Sequence, residues 1–285
     1  LKIVRHFFDF ILYSNLFIGL CAVALIFTNQ LTIGTEIRFD ASCAFVFFAT
    51  VFTYSYLKFR NTGYDASTPH RNWAFTHNQL SRNVMVLALF GTAAFFLKLN
   101  FDAMLIGAML ALVTAFYAFV DIPFLKPAMR LRDFAMLKVF FVALVWSVST
   151  VLIPFVDEST DLTIIIFLLL RRFLFIAALT LVFEIYDMAG DHAHELKTFA
   201  LRFGVSNTKL ASQLMLLLLF VINLVQYFFF EAELNNMLAI NSSLLLSIIC
   251  VSLINADTKA YWYYLVIDGM MLLQFAFVYV ANIFS

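Results

Sequence analysis

The run LTIIIFLLLRRFLFIAALTLV, from Leu162 to Val182, constrains this chain more than any other segment. At 1.5 Å per helical residue, roughly 20 apolar residues match the ~30 Å hydrocarbon core of a bilayer. Lipid offers a backbone no hydrogen bonds, so such a segment must satisfy its own peptide groups, as a helix does. Eight further apolar stretches follow the same logic, at about 10–28, 41–59, 83–99, 103–120, 134–154, 210–230, 236–255 and 262–283. With 162–184 as the sixth, the expectation is nine spans. All four prolines (Pro69, Pro123, Pro127, Pro154) fall between the stretches or at their ends, where a missing N–H does least harm. Charged residues make up 13% of the chain, about half the ~25% of a soluble domain. The sequence therefore reads as an all-α integral membrane protein with a single transmembrane domain over 1–285. The first apolar run lacks a convincing A-x-A cleavage site and reads as a retained helix.

Charge sets the expected orientation. With the N-terminus inside, fourteen of the eighteen Lys and Arg residues fall in inside segments. Only Arg38 and Lys98 fall outside, and Arg171 and Arg172 lie within the sixth span. That asymmetry follows the positive-inside rule. The outside loops carry acids instead: Asp157, Glu158, Asp161, Glu231 and Glu233. The expected location is a bacterial inner membrane, N-terminus cytoplasmic and C-terminus outside. A net charge of zero gives no bulk field to attract nucleic acid, so none is expected as a partner. Cys21, Cys43 and Cys250 all lie in apolar runs, which suggests neither a disulfide framework nor a zinc site.

The sixth span ends in FEIYDMAGDHAHELK, which holds Glu184, Asp187, Asp191 and Glu195. At about 100° per residue, these acids fall within an arc of about 80° if the helix continues through Gly190. Clustered carboxylates repel one another unless cations join them. Hard divalent cations accept one or two carboxylates, with waters and phosphate oxygens completing the shell. The competing reading is a solvated helix end. His192 and His194 are two apart, so they point to different faces, which disfavours zinc.

The pattern Glu184-x-x-Asp187-x-x-x-Asp191 is followed by Leu196-Lys197-Thr198-Phe199-Ala200 and then Arg202-Phe203-Gly204-Val205. It resembles the second signature of the UbiA superfamily of intramembrane prenyltransferases: Asp-x-x-Asp-x-x-x-Asp, then Lys-Thr-Leu-Pro and a later Gly. Here Glu replaces the first Asp, Phe replaces Leu, and Ala replaces Pro. The segment Tyr117 to Lys138, with IPFLK and LRDFAMLK, looks like that family's connection after the fourth span. The resemblance implies a UbiA-like bundle of nine helices around a central cavity. A polyprenyl group would pass from its diphosphate to an aromatic or other lipid acceptor. By the same analogy Mg²⁺ would be the cofactor, with Glu184, Asp187 and Asp191 as its ligands. Lys58, Arg60, Lys126, Arg132, Lys138 and Lys197 would face the diphosphate. Tyr54 and Tyr117 would line the cavity or the acceptor site.

The first family signature, Asn-Asp-x-x-Asp-x-x-x-Asp at the end of the second span, has no counterpart. The sequence there is TVFTYSYLKFRNTGYDAS, without an acid from Ala41 through Tyr64. Tyr56, Phe59 and Gly63 stand where acids are expected, with Lys58 and Arg60 close by. Three readings stay open. Lys58 and Arg60 could replace one metal cluster in a divergent transferase, since both bind phosphate oxygens directly. The protein could bind prenyl lipids without turnover, as an accessory protein. Or it could have left prenyl chemistry altogether. A small transporter has least support, because no inverted repeat and no matched pair of broken helices is evident. Arg171 and Arg172 should find a partner inside the bundle, Asp268 first and Gln274 second.

Overall fold

The computed structural model describes residues 2–60, 69–119, 135–156, 160–193, 198–230 and 232–283. The first apolar stretch is not one straight span. Helix α1 (Lys2–Tyr13) meets α2 (Leu16–Thr32) at a bend of 63°. Asn15 stands at the bend with φ 68° and ψ 10°, a left-handed conformation that Asn tolerates better than most residues. Helix α3 (Ala41–Arg60) fastens the break from the side. Asn15 Nδ2 donates to Ser55 Oγ at 2.9 Å, and Lys58 Nζ donates to the Tyr13 carbonyl. The expected span 10–28 is thereby corrected to a broken one, the end of α1 and α2, because Ser55 and Lys58 repay the backbone for turning at residues 14–15.

Helix α4 (Pro69–Thr76) begins with proline, whose missing N–H costs nothing in a first turn. Helices α5 (Asn78–Phe96) and α6 (Phe101–Phe119) follow. Gly91 of α5 allows α3 to approach closely: a Cβ there would lie 2.5 Å from Cγ of Phe48. Gly91→Ala should therefore cost about 1–3 kcal/mol through displacement of that ring. Thermal unfolding in detergent measures it, and an unchanged melting curve would show that Phe48 moves at no cost.

Helix α7 (Ala135–Ser147) widens into a π-helical turn, Val148–Leu152, and closes as α8 (Ile153–Phe155). Pro154 lacks the N–H that would reach back to the Thr150 carbonyl. Asn29 of α2 fills that vacancy, its Nδ2 donating to Thr150 O at 3.0 Å. Helix α9 (Leu162–Ala193) starts at Asp161, which accepts the Thr163 N–H at 2.6 Å. That bond holds the Asp161 carboxyl below the usual carboxylate range. The 32 residues of α9 span about 48 Å, well past the hydrocarbon core. The helix thus runs beyond its expected end at 184 and through Gly190. Helix α10 (Phe199–Phe229) starts earlier than the expected 210 but is interrupted at Gly204. There φ is 80° and ψ 166°, a conformation that only glycine adopts readily. Helix α11 (Leu234–Ser252), a π-helical turn at Trp262–Ile267 and α12 (Gly269–Ile283) complete the chain.

Neighbouring helices form a closed circuit. Helix α2 packs on α3 and α12, α11 joins α12 to α10, and α9 lies between α10 and α7. The π-helical turn after α7 touches α2, which closes the ring. Cys21 and Leu25 of α2, Phe175 and Val182 of α9, Leu216 of α10 and Leu244 of α11 fill the core. Leu87, Phe90, Leu112 and Phe228 are 67–71% exposed, which suits lipid-facing side chains. Among the described residues seven helices are long and apolar enough to cross a membrane, or eight if the bent pair α1–α2 forms one span. The expected fourth span appears as the shorter apolar helix Phe101–Tyr117, so among the described residues the expected nine spans reduce to at most eight and this shorter helix.

The paired arginines differ from expectation. Arg172 is buried and donates to the Leu25 carbonyl at 2.9 Å and to Asn29 Oδ1 at 2.8 Å, and reaches Gln274 at 3.5 Å. Arg171 donates to Gln226 at 3.2 Å. Gln274 is thus a partner, but among the described residues Asp268 is not. Amide and carbonyl oxygens meet the guanidinium without placing a second full charge in the membrane interior.

Candidate functional site at the end of α9

The continuation of α9 past residue 184 carries the acids out on one helix face, and two neighbouring elements converge on them. From α10 comes the helix N-terminus, where Thr198 accepts the Leu201 N–H at 3.4 Å as a cap. The Phe199 N–H of the same terminus donates to Glu184 Oε2 at 3.0 Å. Helix N-termini favour negative charge, so this is a stable seat for a carboxylate. Glu184 is fully buried there. From α7 comes Lys138, whose Nζ lies 3.3 Å from Glu184 Oε1 and 2.9 Å from Asp187 Oδ2. Asp191 lies within electrostatic reach of the same ammonium.

Glu184, Asp187, Asp191 and Lys138 lie together, but their roles divide. Glu184 is committed to Phe199 and Lys138, whereas the Asp187 side chain stays 37% exposed. No group of three His, Cys, Asp or Glu side chains is gathered as a metal cage among the described residues. Lys58 does not join the cluster. It is buried, binds the Tyr13 carbonyl and lies 5.6 Å from the Trp73 ring centroid, so it closes α1 onto α3. The Arg60 side chain, Lys126, Arg132, Lys197 and Glu195 lie outside the described residues.

Tyrosines that the sequence reading passed over stand beside the acids. Tyr186 of α9 packs on Tyr263 and Tyr264 at 5.0 and 5.6 Å, and Tyr264 also stacks on His70 at 4.9 Å. Their signal was weak, since Tyr263 and Tyr264 sit in an apolar run where an aromatic reads as filler. Deeper in the bundle Tyr54 accepts the Trp146 indole N–H at 3.1 Å. Tyr117 and Asp268 are within electrostatic reach of Tyr54. The two tyrosines singled out from sequence thus lie within electrostatic reach of each other, and Asp268 lies near Tyr54 instead of pairing with the arginines.

No family model matches the chain, and no curated protein matches it by sequence. Solved structures do match by shape. A UbiA homolog from Archaeoglobus fulgidus bound to GPP and Mg²⁺ superposes with a TM-score of 0.66 at 12% identity, over 96% of this chain and 99% of that one. The apo structure of a UbiA homolog from Aeropyrum pernix K1 gives 0.62 at 13% identity, over 93% and 96%. Digeranylgeranylglyceryl phosphate synthase gives 0.60 at 15% identity, over 97% and 99%. With near-complete coverage in both directions, this membrane protein has the fold of the UbiA homologs.

Proposed function

We propose that the protein is an intramembrane prenyltransferase of one nine-span transmembrane domain. It would transfer a polyprenyl group from a prenyl diphosphate to an aromatic or other lipid acceptor. The observation that carries this reading is the Lys138–Glu184–Asp187 cluster at the end of α9, in a fold shared with a homolog bound to GPP and Mg²⁺. In the reaction the bond between the allylic carbon and the diphosphate oxygen breaks, and the acceptor nucleophile bonds to that carbon. The acceptor loses a proton, and diphosphate leaves.

Asp187 and Asp191 suit Mg²⁺ as hard oxygen donors one helical turn apart. Bound there, Mg²⁺ would screen the diphosphate and stabilise it as a leaving group. Lys138 places a cation at the same spot and would hold phosphate oxygens directly. Lys197, Lys126, Arg132 and Arg60 are the remaining proposed diphosphate contacts. Glu184 would act as the support that fixes Lys138 and the start of α10. Tyr54 and Tyr117 would line a chamber for the prenyl chain, where an apolar wall would shield an allylic cation from water.

The test is transfer of radiolabelled geranyl diphosphate in membranes containing the protein, with and without Mg²⁺, against a panel of aromatic acceptors. Mg²⁺-dependent incorporation is expected. Binding that ignores both EDTA and Asp187→Ala would sink the metal site.

One observation favours a second reading, binding without turnover. Helix α3 brings no acid, and its Lys58 is occupied by α1. Retained, metal-sensitive binding with no transfer to any acceptor would select it. Lys58→Met separates the two roles of that residue. It should raise hydrogen exchange of the α1 amides by roughly tenfold, because a charge-assisted hydrogen bond is lost. A raised KM for geranyl diphosphate with unchanged exchange would instead return Lys58 to the diphosphate.

A further inference from the structure

Helix α9 carries a second charged position that prenyl transfer does not use. Arg171 lies thirteen residues before Glu184, about 20 Å along the axis from the acids. It lines a cavity of about 220 Å³ together with Ile164, Asn223, Gln226, Phe230 and Glu233. Ile164 belongs to the first turns of α9, Phe230 directly follows α10, and Glu233 directly precedes α11. The cavity therefore sits where these helices end, opposite the acid cluster.

Its polar groups are incompletely used. Among the described residues Arg171 has only the neutral Gln226 oxygen, at 3.2 Å. Glu233 is exposed and accepts from Asn236 Nδ2 at 2.9 Å, without pairing with Arg171. Asn223 is 3% exposed, and its Nδ2 donates to Asn241 at 2.9 Å while its Oδ1 has no hydrogen-bond partner. A cation, a carboxylate and a buried amide oxygen thus wall one cavity. That set complements a zwitterion with an anionic oxygen at one end and N–H donors at the other. The volume is below the ~300–1,000 Å³ of sites that enclose drug-sized ligands, so it suits a headgroup and not a whole amphiphile. Ile164 and Phe230 line it and are also 39% and 51% exposed, which leaves apolar surface beside it for acyl chains.

We propose that this cavity binds the phosphoethanolamine headgroup of a membrane phospholipid, its phosphate on Arg171 and its ammonium on Glu233. Arg matches phosphate oxygens with a planar fork of donors. The Asn223 oxygen supplies a further acceptor for the ammonium. A phosphatidylcholine headgroup has no N–H to offer, and a phosphatidylglycerol headgroup brings no cation to Glu233.

The test uses the full chain in detergent, exchanged against equimolar phosphatidylethanolamine, phosphatidylglycerol and phosphatidylcholine with identical acyl chains, and native mass spectrometry of what stays bound. Phosphatidylethanolamine should be retained roughly tenfold over either alternative, the effect of about one charged hydrogen bond. Arg171→Gln should abolish retention of all three. Glu233→Lys, its folding checked by an unchanged melting curve because Glu233 also accepts from Asn236 at the start of α11, should reverse the preference toward phosphatidylglycerol. Equal retention of the three lipids, or an unchanged preference in Glu233→Lys, would overturn the proposal. Displacement by free phosphoethanolamine at the same concentration would also overturn it, since the occupant would then be a soluble zwitterion.

Discussion

Lys138→Met will lower the unfolding free energy by about 3 kcal/mol, the range for breaking a buried ion pair from one side. Lys138 supplies the only ammonium within 4 Å of Glu184 among the described residues, and Glu184 is fully buried. Without it, Glu184 keeps the Phe199 N–H on one oxygen and faces an apolar side chain with the other. The carboxylate must then take up a proton or draw water into the helix contact. Both alternatives loosen α9 from α7 and α10. Adding Glu184→Gln to Lys138→Met should recover most of the loss, because an amide is buried more cheaply than an unpaired charge. Thermal or denaturant unfolding of both variants in detergent checks this. A double variant no more stable than Lys138→Met would mean that the ion pair is not what holds these helices.

Asp187→Ala will have the opposite profile. Its carboxylate is 37% exposed, and Lys138 keeps Glu184 when Asp187 is removed, so stability should change by less than about 1 kcal/mol. Prenyl transfer should fall on the order of a hundredfold, as when one preorganised electrostatic group is taken from a site where charge develops. Asp191→Ala should behave alike. Comparable losses of stability and turnover in Asp187→Ala would assign the residue to the fold, and the proposed division between Glu184 and the two aspartates would fail.

Apolar length made the helices legible in the sequence, whereas of the described prolines Pro154 lies one residue before a helix end and Pro69 opens a helix. The acid stripe could be placed because helical phase is fixed once a run continues, and α9 does continue through Gly190. Local chemistry hid the rest. Nothing in FFDFILYSNLFIGL announces a 63° bend, because the groups that stabilise it, Ser55 and Lys58, are supplied 40 and 45 residues later. Lys58 looked like a phosphate ligand because a cation near an expected diphosphate site reads that way. Its actual partner is a carbonyl freed by a helix end. Asp268 looked like the natural mate of Arg172 because charge suggests charge. The helix ring instead brings Leu25, Asn29 and Gln274 to that arginine. Proximity across a bundle depends on which helices are neighbours, and sequence spacing does not encode it.

The clasp between Lys58 and the end of α1 also has a consequence for biogenesis. Tyr13 leaves the ribosome 45 residues before the lysine that secures its carbonyl. At about 5–20 residues per second, that interval is roughly 2–9 s. During it α2 can enter the bilayer while the Tyr13 carbonyl still has no lysine to bind. The bend becomes permanent only when α3 arrives. Helix α1 is thus made before α2 and α3 but secured only once both are in place.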